Sequence, residues 1–176
     1  MNQKYSKTAK LAFPIATYDV NNLAWTIGLL IASVIFPALL AHSPQNQWIT
    51  GTIVNAVIFL AVWRFGVVNA AFVAILPSSI ALLRGLLPVP MAIMIPWIII
   101  SNFILIAAFF STKKYPLAGI VLASTAKFFF LFAVATYFLK ISSPFLFMFQ
   151  WPQLVTALAG GLVALGTLKI YQKLAR

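Results

Sequence analysis

Residues 116–139 have the sequence PLAGIVLASTAKFFFLFAVATYFL, a largely apolar run that contains one charged residue, Lys127. A helix needs roughly 20 apolar residues to cross a hydrocarbon core about 30 Å thick, because each residue advances the axis by about 1.5 Å. The run from Pro116 to Leu139 is long enough for one crossing. It therefore predicts a transmembrane helix.

Similar runs fill most of the chain. Of its 176 residues, 63% are hydrophobic and 7% are charged, which is too few charges for the surface of a soluble domain. Runs bounded by charge, Pro or Gly predict six spans: Leu23 to Ala41, Trp48 to Trp63, Gly66 to Leu83, Met91 to Ser111, Pro116 to Leu139 and Pro152 to Tyr171. We therefore expect an all-α integral membrane protein, a bundle of about six transmembrane helices.

The second and third spans are separated only by Arg64, Phe65 and Gly66, so a single long re-entrant element is an alternative there. Residues 23–171 are expected to form one six-helix transmembrane domain. A basic cytoplasmic segment, 1–22, would precede it, and a cytoplasmic tail, 172–176, would follow. The first helix has no clear small-residue cleavage site close behind a short apolar core, which favours an uncleaved helix over a signal peptide.

The positive charges predict the orientation of the bundle. Nine cations fall on one predicted side: Lys4, Lys7, Lys10, Arg64, Lys113, Lys114, Lys169, Lys173 and Arg176. The opposite side has only two, Arg84 and Lys140. Because Lys and Arg concentrate in cytoplasmic loops, both termini are expected in the cytoplasm of a prokaryotic cell, with the chain crossing its plasma membrane several times.

The residue types disfavour an enzyme. The chain has one His (His42), one acid (Asp19) and no Cys, and the first two lie at opposite ends of the first predicted helix. No group for proton exchange, nucleophilic attack or metal binding can be assembled from them, so no catalytic residue, metal or cofactor is expected. A phosphate-binding G-x-x-x-x-G-K-[ST] motif is also absent. The cations lie at the ends of hydrophobic runs, which indicates contact with lipid headgroups and no nucleic-acid partner.

Lys127 is the most informative residue. It is equally far from Lys114 and Lys140, about 20 Å of helix from each, and so lies near the bilayer midplane. A central lysine costs about 2.5 to 3.5 kcal/mol on insertion scales, and no carboxylate is available inside the bundle. Its partners must be neutral acceptors, water or a bound anion. It is either a structural lysine bonded to freed backbone carbonyls or a ligand-facing one.

Other polar residues of the spans are expected to face the bundle interior, because lipid cannot satisfy them. They are Asn55, Ser78, Ser79, Asn102, Ser124 and Gln153. Most lie in the central or outer half, as does Arg84, which suggests a polar cavity open to the outside. Pro77 and Pro96 would free carbonyls near that level. We expect Lys127, Arg84, Asn55, Asn102 and Gln153 to line a site for a small organic substrate.

Two further patterns concern packing. Ala24, Gly28 and Ala32 form a stripe of small residues on the first helix, against which another helix can approach closely. The segment 143–151 alternates aromatic residues, which is typical of an ordinary aromatic belt at the interface and alternatively suggests an apolar cap or interfacial stretch before the last helix.

Several motifs resemble the S components of energy-coupling factor (ECF) transporters, the membrane subunits that capture vitamins and related micronutrients. They are Gly51-Thr-Ile-Val-Asn55-Ala, Leu76-Pro-Ser-Ser-Ile80 leading to Arg84-Gly85-Leu-Leu-Pro88, Ile95-Pro96 followed by Ser101-Asn102, Ala126-Lys127-Phe128, and Phe149-Gln-Trp-Pro-Gln-Leu154. The resemblance is to a subgroup of unassigned substrate, and signatures of the riboflavin, thiamine and biotin members are missing.

The resemblance implies an outward-open substrate site capped by the loop after the first helix. It also implies a transmembrane coupling subunit and two cytoplasmic ATPase subunits as partners. In the family, an Ala-x-x-x-Ala stripe on the first helix meets the coupling subunit, and here Ala24, Gly28 and Ala32 match it with Gly in one place. The competing hypothesis is a non-catalytic structural or assembly subunit of another membrane complex.

Overall fold

The computed structural model describes residues 20–39, 46–83, 89–143 and 145–174, and these form helices joined by short connections. The helices are α1 (Val20–Leu39), α2 (Asn46–Arg64), α3 (Val67–Leu83), α4 (Val89–Thr112), α5 (Pro116–Ala133) and α6 (Trp151–Leu174). A π-helical segment, Val134–Phe138, continues α5, and a 3₁₀ helix, Phe145–Phe149, precedes α6. The described residues contain no strand, so the all-α prediction is confirmed, with one α-helix at each predicted span.

Three helical segments are long and apolar enough to cross a membrane: Ala92–Thr112, Pro116–Phe138 and Phe145–Lys173. Shorter apolar helices cover Ala24–Ile35 and Val67–Leu83. The outer faces of the long segments carry large apolar side chains, among them Val121, Phe129 and Leu162, each more than half exposed. In water such a surface would be unfavourable, whereas lipid solvates it. The fold is therefore that of a membrane protein.

The turn between α2 and α3 ends one helix and starts another. Phe65 N donates to the Ala61 carbonyl at 2.9 Å, and Gly66 then adopts a positive φ of 88°. Glycine commonly ends helices in this left-handed conformation. The two helices pack against each other along the chain reversal. Gly66 therefore divides this stretch into two helices, and the choice between two spans and one re-entrant element stays a prediction.

Contacts between helices show that they alternate in direction. In α2 and α6, Gly51 lies against Thr156, and further along Asn55 lies against Gly160, so these two helices run parallel. Asn55 of α2 and Asn102 of α4 bind the same amine, and further along these helices Phe59 meets Phe109 edge to face at 4.8 Å. The helix α4 therefore runs parallel to α2. The helix α5 runs opposite to α6, because Ile120 meets Gly161 and Phe128 meets Trp151.

This alternation gathers the described cations at one end of the bundle, which we call the basic end. It contains the end of α2 with Arg64, the turn between α4 and α5 with Lys113 and Lys114, and the end of α6 with Lys169 and Lys173. Among described cations outside the core, Lys140 alone lies at the opposite end, after α5. The remaining predicted end charges lie outside the described residues: Lys4, Lys7, Lys10, Arg84 and Arg176.

Two apolar cores fill the bundle. The larger, in the half near the basic end, draws on α2 to α6 and includes the fully buried Phe59, Val73, Leu105 and Phe109. The smaller, in the opposite half, consists of Met94, Leu131, Val134, Ala135 and Phe149. On α5, Lys127 lies between Ala123 of the larger core and Leu131 of the smaller one, so this buried lysine occupies the middle layer of the fold.

The aromatic segment before α6 is only partly a cap. In the 3₁₀ helix Phe149 is fully buried, whereas Phe147 is exposed. The segment continues directly into α6 and supplies part of the third membrane-length span. It therefore serves both as an anchor in the smaller core and as the start of a span.

Candidate functional site

Lys127 lies on the buried face of α5. The buried residues of α5 recur at helical spacing, namely Gly119, Ile120, Ala123, Ser124, Lys127 and Leu131. Only 3% of Lys127 is exposed. The amphipathic spacing of α5 thus directs its one charged residue inward, in register with its apolar neighbours.

The amine of Lys127 is held by two asparagines. Lys127 Nζ donates to Asn55 Oδ1 and to Asn102 Oδ1, each at 2.7 Å. Asn102 Nδ2 in turn donates to the backbone carbonyl of Ala74 at 3.2 Å. We call these three side chains and the Ala74 carbonyl the lysine cluster. It joins α5, α2, α4 and α3 at one point.

The lysine cluster lies at mid-height in the bundle. Lys127 is equidistant from the ends of the segment Pro116–Phe138, and Asn55 is equidistant from the ends of α2. Pro77, inside α3, has no N–H to donate to the carbonyl of Val73, four residues earlier. Asn102 binds the next carbonyl, that of Ala74. The cluster therefore forms where proline loosens the backbone of α3.

The electrostatics of the cluster are unusual because it has a donor-rich cation and only neutral acceptors. A lysine ammonium has three N–H donors, and two of them are bound to amide oxygens. The described residues contain no Asp or Glu. Hydrogen bonds from a charged donor are stronger than neutral ones, which lowers the cost of burial but leaves a net positive charge. That charge would attract an anion or a strongly accepting group.

A buried hydroxyl adjoins the lysine on the same face of α5. Ser124 lies one turn before Lys127, is fully buried, and its Oγ has no hydrogen-bond partner. Leaving a buried polar group unpaired costs about 1–3 kcal/mol. Ser124 is therefore a further polar group that a ligand in this layer could bind.

The structure brings together three of the five predicted substrate residues, Lys127, Asn55 and Asn102. Gln153 does not hydrogen-bond to them, because its Nε2 donates to the Met148 carbonyl at 3.2 Å. Gln47 Nε2 donates to the same carbonyl at 2.6 Å. These two glutamines fix the 3₁₀ helix against α2 and α6. Arg84 lies outside the described residues, as do His42 and Asp19.

The amine binds different acceptors from those expected for a structural lysine. Freed backbone carbonyls were the anticipated partners, whereas amide oxygens receive both bonds and only Asn102 contacts a carbonyl beside the Pro77 break. Pro96 is exposed and contributes no contact to the cluster. Ser79 Oγ donates to the Ile75 carbonyl within its own helix.

Sequence reasoning missed the glycine that positions Asn55. A Cβ at Gly160 would lie 2.7 Å from both Ala56 N and Thr52 O, and 2.8 Å from Asn55 Cβ. Only glycine allows α6 to approach the backbone of α2 this closely. The signal was the Gly160-Gly161 pair in an otherwise apolar helix, and its second member packs on Ile120 in the same manner.

The small-residue stripe of α1 is open along most of its length. Among the described residues, no atom outside the local helix lies within 4 Å of a Cβ added at Gly28. Ala24 is exposed and Ala32 is half-buried, whereas Thr26 and Ser33 face the interior. Within the described chain, the stripe therefore has no helix packed closely upon it.

No protein-family model, curated protein or solved structure matches the chain. Function is therefore inferred from the geometry of the lysine cluster and from the sequence motifs. The described residues also contain no group of three His, Cys, Asp or Glu side chains that could hold a metal ion.

Proposed function

We propose that this chain is the membrane-embedded substrate-binding subunit of an ATP-driven micronutrient uptake transporter, similar to the S components of ECF transporters. It would cross a prokaryotic plasma membrane six times, with both termini in the cytoplasm. A separate transmembrane coupling subunit and two cytoplasmic ATPase subunits would supply the energy. The substrate would be a small organic molecule such as a vitamin or vitamin precursor.

The main support for this proposal is that residues from three separate sequence motifs meet at one point in the structure. Asn55, Asn102 and Lys127 come from three separate segments that resemble S components, and Lys127 donates a hydrogen bond to each asparagine in the centre of the bundle. Residues brought together from distant positions in a membrane interior are commonly functional, because placing an ionisable group there is costly. Arg84 and Gln153 are proposed to contribute nearer the outer end.

The charge of the cluster indicates the chemistry of the substrate. Lys127 has no carboxylate partner, and Ser124 offers an unpaired hydroxyl one turn away. An anionic or strongly accepting group of the substrate would satisfy both. Such a ligand would bind the folded protein and not the unfolded chain. At a concentration 100 times its dissociation constant, it would raise the free energy of unfolding by roughly 2.7 kcal/mol.

A structural or assembly role in another membrane complex is the second candidate. It is favoured by the burial of Lys127 and by the two amide oxygens that already bind its amine. In that case the lysine cluster would organise four helices without a ligand.

Purification in mild detergent distinguishes the two candidates. A substrate-binding subunit is expected to retain a small molecule, detectable by mass spectrometry, and to co-purify with ATPases and a large coupling protein. Co-purification with a redox or biosynthetic complex and no retained molecule would support the second candidate. The molecule identified would then serve as the ligand for binding measurements.

Lys127→Met tests the site itself, since methionine keeps the volume and removes the charge. We expect the ligand-induced rise in unfolding temperature to be lost in Lys127→Met. Lys140→Met is the matched control, because Lys140 is exposed at the end of α5. Wild-type-like ligand affinity in Lys127→Met would overturn the assignment of this residue to the substrate site.

A further inference from the structure

A cavity of about 160 Å³ lies at the basic end of the bundle, and no member of the lysine cluster lines it. It opens between the start of α1 and the ends of α2 and α6. Its lining residues are Trp25, Leu29, Leu60, Arg64, Phe65, Thr167, Leu168 and Tyr171. None of them belongs to the motifs that resemble S components.

The walls of this cavity are apolar and its mouth is cationic. Arg64 is the one charged residue among the described residues that line it, and is exposed at the last position of α2. The hydroxyl of Thr167 already donates to the Val163 carbonyl at 2.9 Å. The one acid of the sequence, Asp19, precedes α1 and lies outside the described residues. The cavity thus combines an apolar interior with a guanidinium at its rim.

The size of the cavity suits part of an acyl chain. An engineered apolar cavity of about 150 Å³ takes up benzene, so this one has room for roughly six carbons. Leu60 lies one helical turn deeper than Arg64, about 6 Å along the axis. Trp25 and Tyr171, both exposed, flank the opening as aromatic residues do at a membrane interface.

We propose that this cavity binds one anionic phospholipid, with its phosphate on Arg64 and the first carbons of one acyl chain against Leu29, Leu60 and Leu168. Arginine binds phosphate through paired N–H donors, and basic pockets between membrane helices are suited to anionic headgroups. Inorganic phosphate would contact Arg64 but not the apolar walls. A lipid would contact Arg64 with its phosphate and the walls with its acyl chain. The lipid would connect α1 to α2 and α6.

The test compares lipids on the full-length protein in mild detergent. Thermal unfolding is measured with phosphatidylglycerol, with phosphatidylcholine of the same acyl chains, and with inorganic phosphate. We expect phosphatidylglycerol to raise the unfolding temperature more than phosphatidylcholine does, and inorganic phosphate to have little effect. Equal shifts with the two lipids, or the full shift with phosphate alone, would overturn the proposal.

Two variants and a control locate the site. Arg64→Gln is expected to weaken phosphatidylglycerol binding roughly tenfold or more, equivalent to about 1.4 kcal/mol. Lys114→Gln removes the same charge at the same end but outside the cavity, and should bind normally. Thr167→Phe fills the cavity from an exposed position and should reduce binding of both lipids. Unchanged lipid preference in Arg64→Gln, or unchanged binding in Thr167→Phe, would contradict the site.

Discussion

At the residue scale, Lys127 shows how a membrane interior accommodates an ammonium without a carboxylate. Two amide oxygens accept from it, and each comes from a different helix. Amides are neutral, so their burial costs less than that of an ion. The arrangement also makes both asparagines depend on the lysine, because its removal leaves the two Oδ1 atoms without the donor that they share.

We predict that Asn102→Leu destabilises the fold by about 1–3 kcal/mol, because it leaves a charged donor and the Ala74 carbonyl without this partner. Asn69→Leu is the control, since Asn69 Nδ2 donates locally, to the Phe65 carbonyl in the turn before α3. Unfolding in detergent by heat or denaturant measures both variants. Equal stability of the two variants would show that the cluster contributes little.

Replacing the whole cluster should be milder than breaking it. The triple variant Lys127→Met, Asn55→Leu and Asn102→Leu removes the buried charge together with its acceptors. We expect it to recover most of the stability lost in Asn102→Leu, while ligand binding stays absent. If the triple variant is less stable than the single one, the polar bonds outweigh the cost of burying the charge.

The sequence predicts which residues belong to the lysine cluster better than it predicts the hydrogen bonds between them. Spacing within its span placed Lys127 at mid-height, and the polarity of Asn55 and Asn102 pointed them inward. Gln153 is likewise a polar residue within a predicted span, yet its amide donates to the Met148 carbonyl in the 3₁₀ helix. Which amide reaches the lysine depends on the rotation of each helix about its axis, and that is set by contacts between helices distant in sequence.

At the element scale, glycines decide how closely the helices approach. Gly160 lies against the backbone of α2, whereas Gly166, farther along α6, has no neighbour within 4 Å of an added Cβ. Both glycines interrupt an apolar run, and in the sequence they differ only in that Gly160 is paired with Gly161. The crossing of α6 with α2 explains why the paired position is the close contact.

We predict opposite effects of alanine at these two positions. Gly160→Ala should destabilise by about 1–3 kcal/mol, because its methyl group would overlap backbone atoms that cannot rotate away. Gly166→Ala should be neutral or stabilise by up to about 1 kcal/mol, since alanine favours helix. Thermal unfolding of both variants in the same detergent is the measurement. A stable Gly160→Ala would mean that α2 and α6 can separate at little cost.

Helix positions were largely predictable from hydrophobic runs, but some local geometry was not. Gly66 and Pro116 mark a helix end and a helix start, because one supports a positive φ and the other suits the first helical turn. The π-helical segment Val134–Phe138 has no such marker, since its apolar residues simply continue α5.

At the scale of the whole molecule, the alternation of helices agrees with the charge pattern used to predict orientation. Reporter fusions at Met1, at Arg176 and in the turn at Lys113 should all report the cytoplasm, and a fusion after Lys140 should report the outside. The reason is that Lys113 shares the basic end with Arg64, whereas Lys140 lies opposite. A terminus found outside would invalidate the six-span topology.

The outer face of α1 is where the whole molecule would meet its coupling subunit. We predict that Gly28→Leu reduces recovery of that subunit in pull-downs several-fold, because a bulky side chain would hold the partner helix away from the small-residue stripe. Substrate binding should remain near wild type, since no described residue outside the local helix lies within 4 Å of a Cβ added at Gly28. Gly166→Leu is the matched control: it adds the same side chain to an open helical glycine on α6 and should leave recovery unchanged. Equal recovery with both variants would place the coupling surface elsewhere, and equal losses would indicate a general effect of added bulk in the membrane.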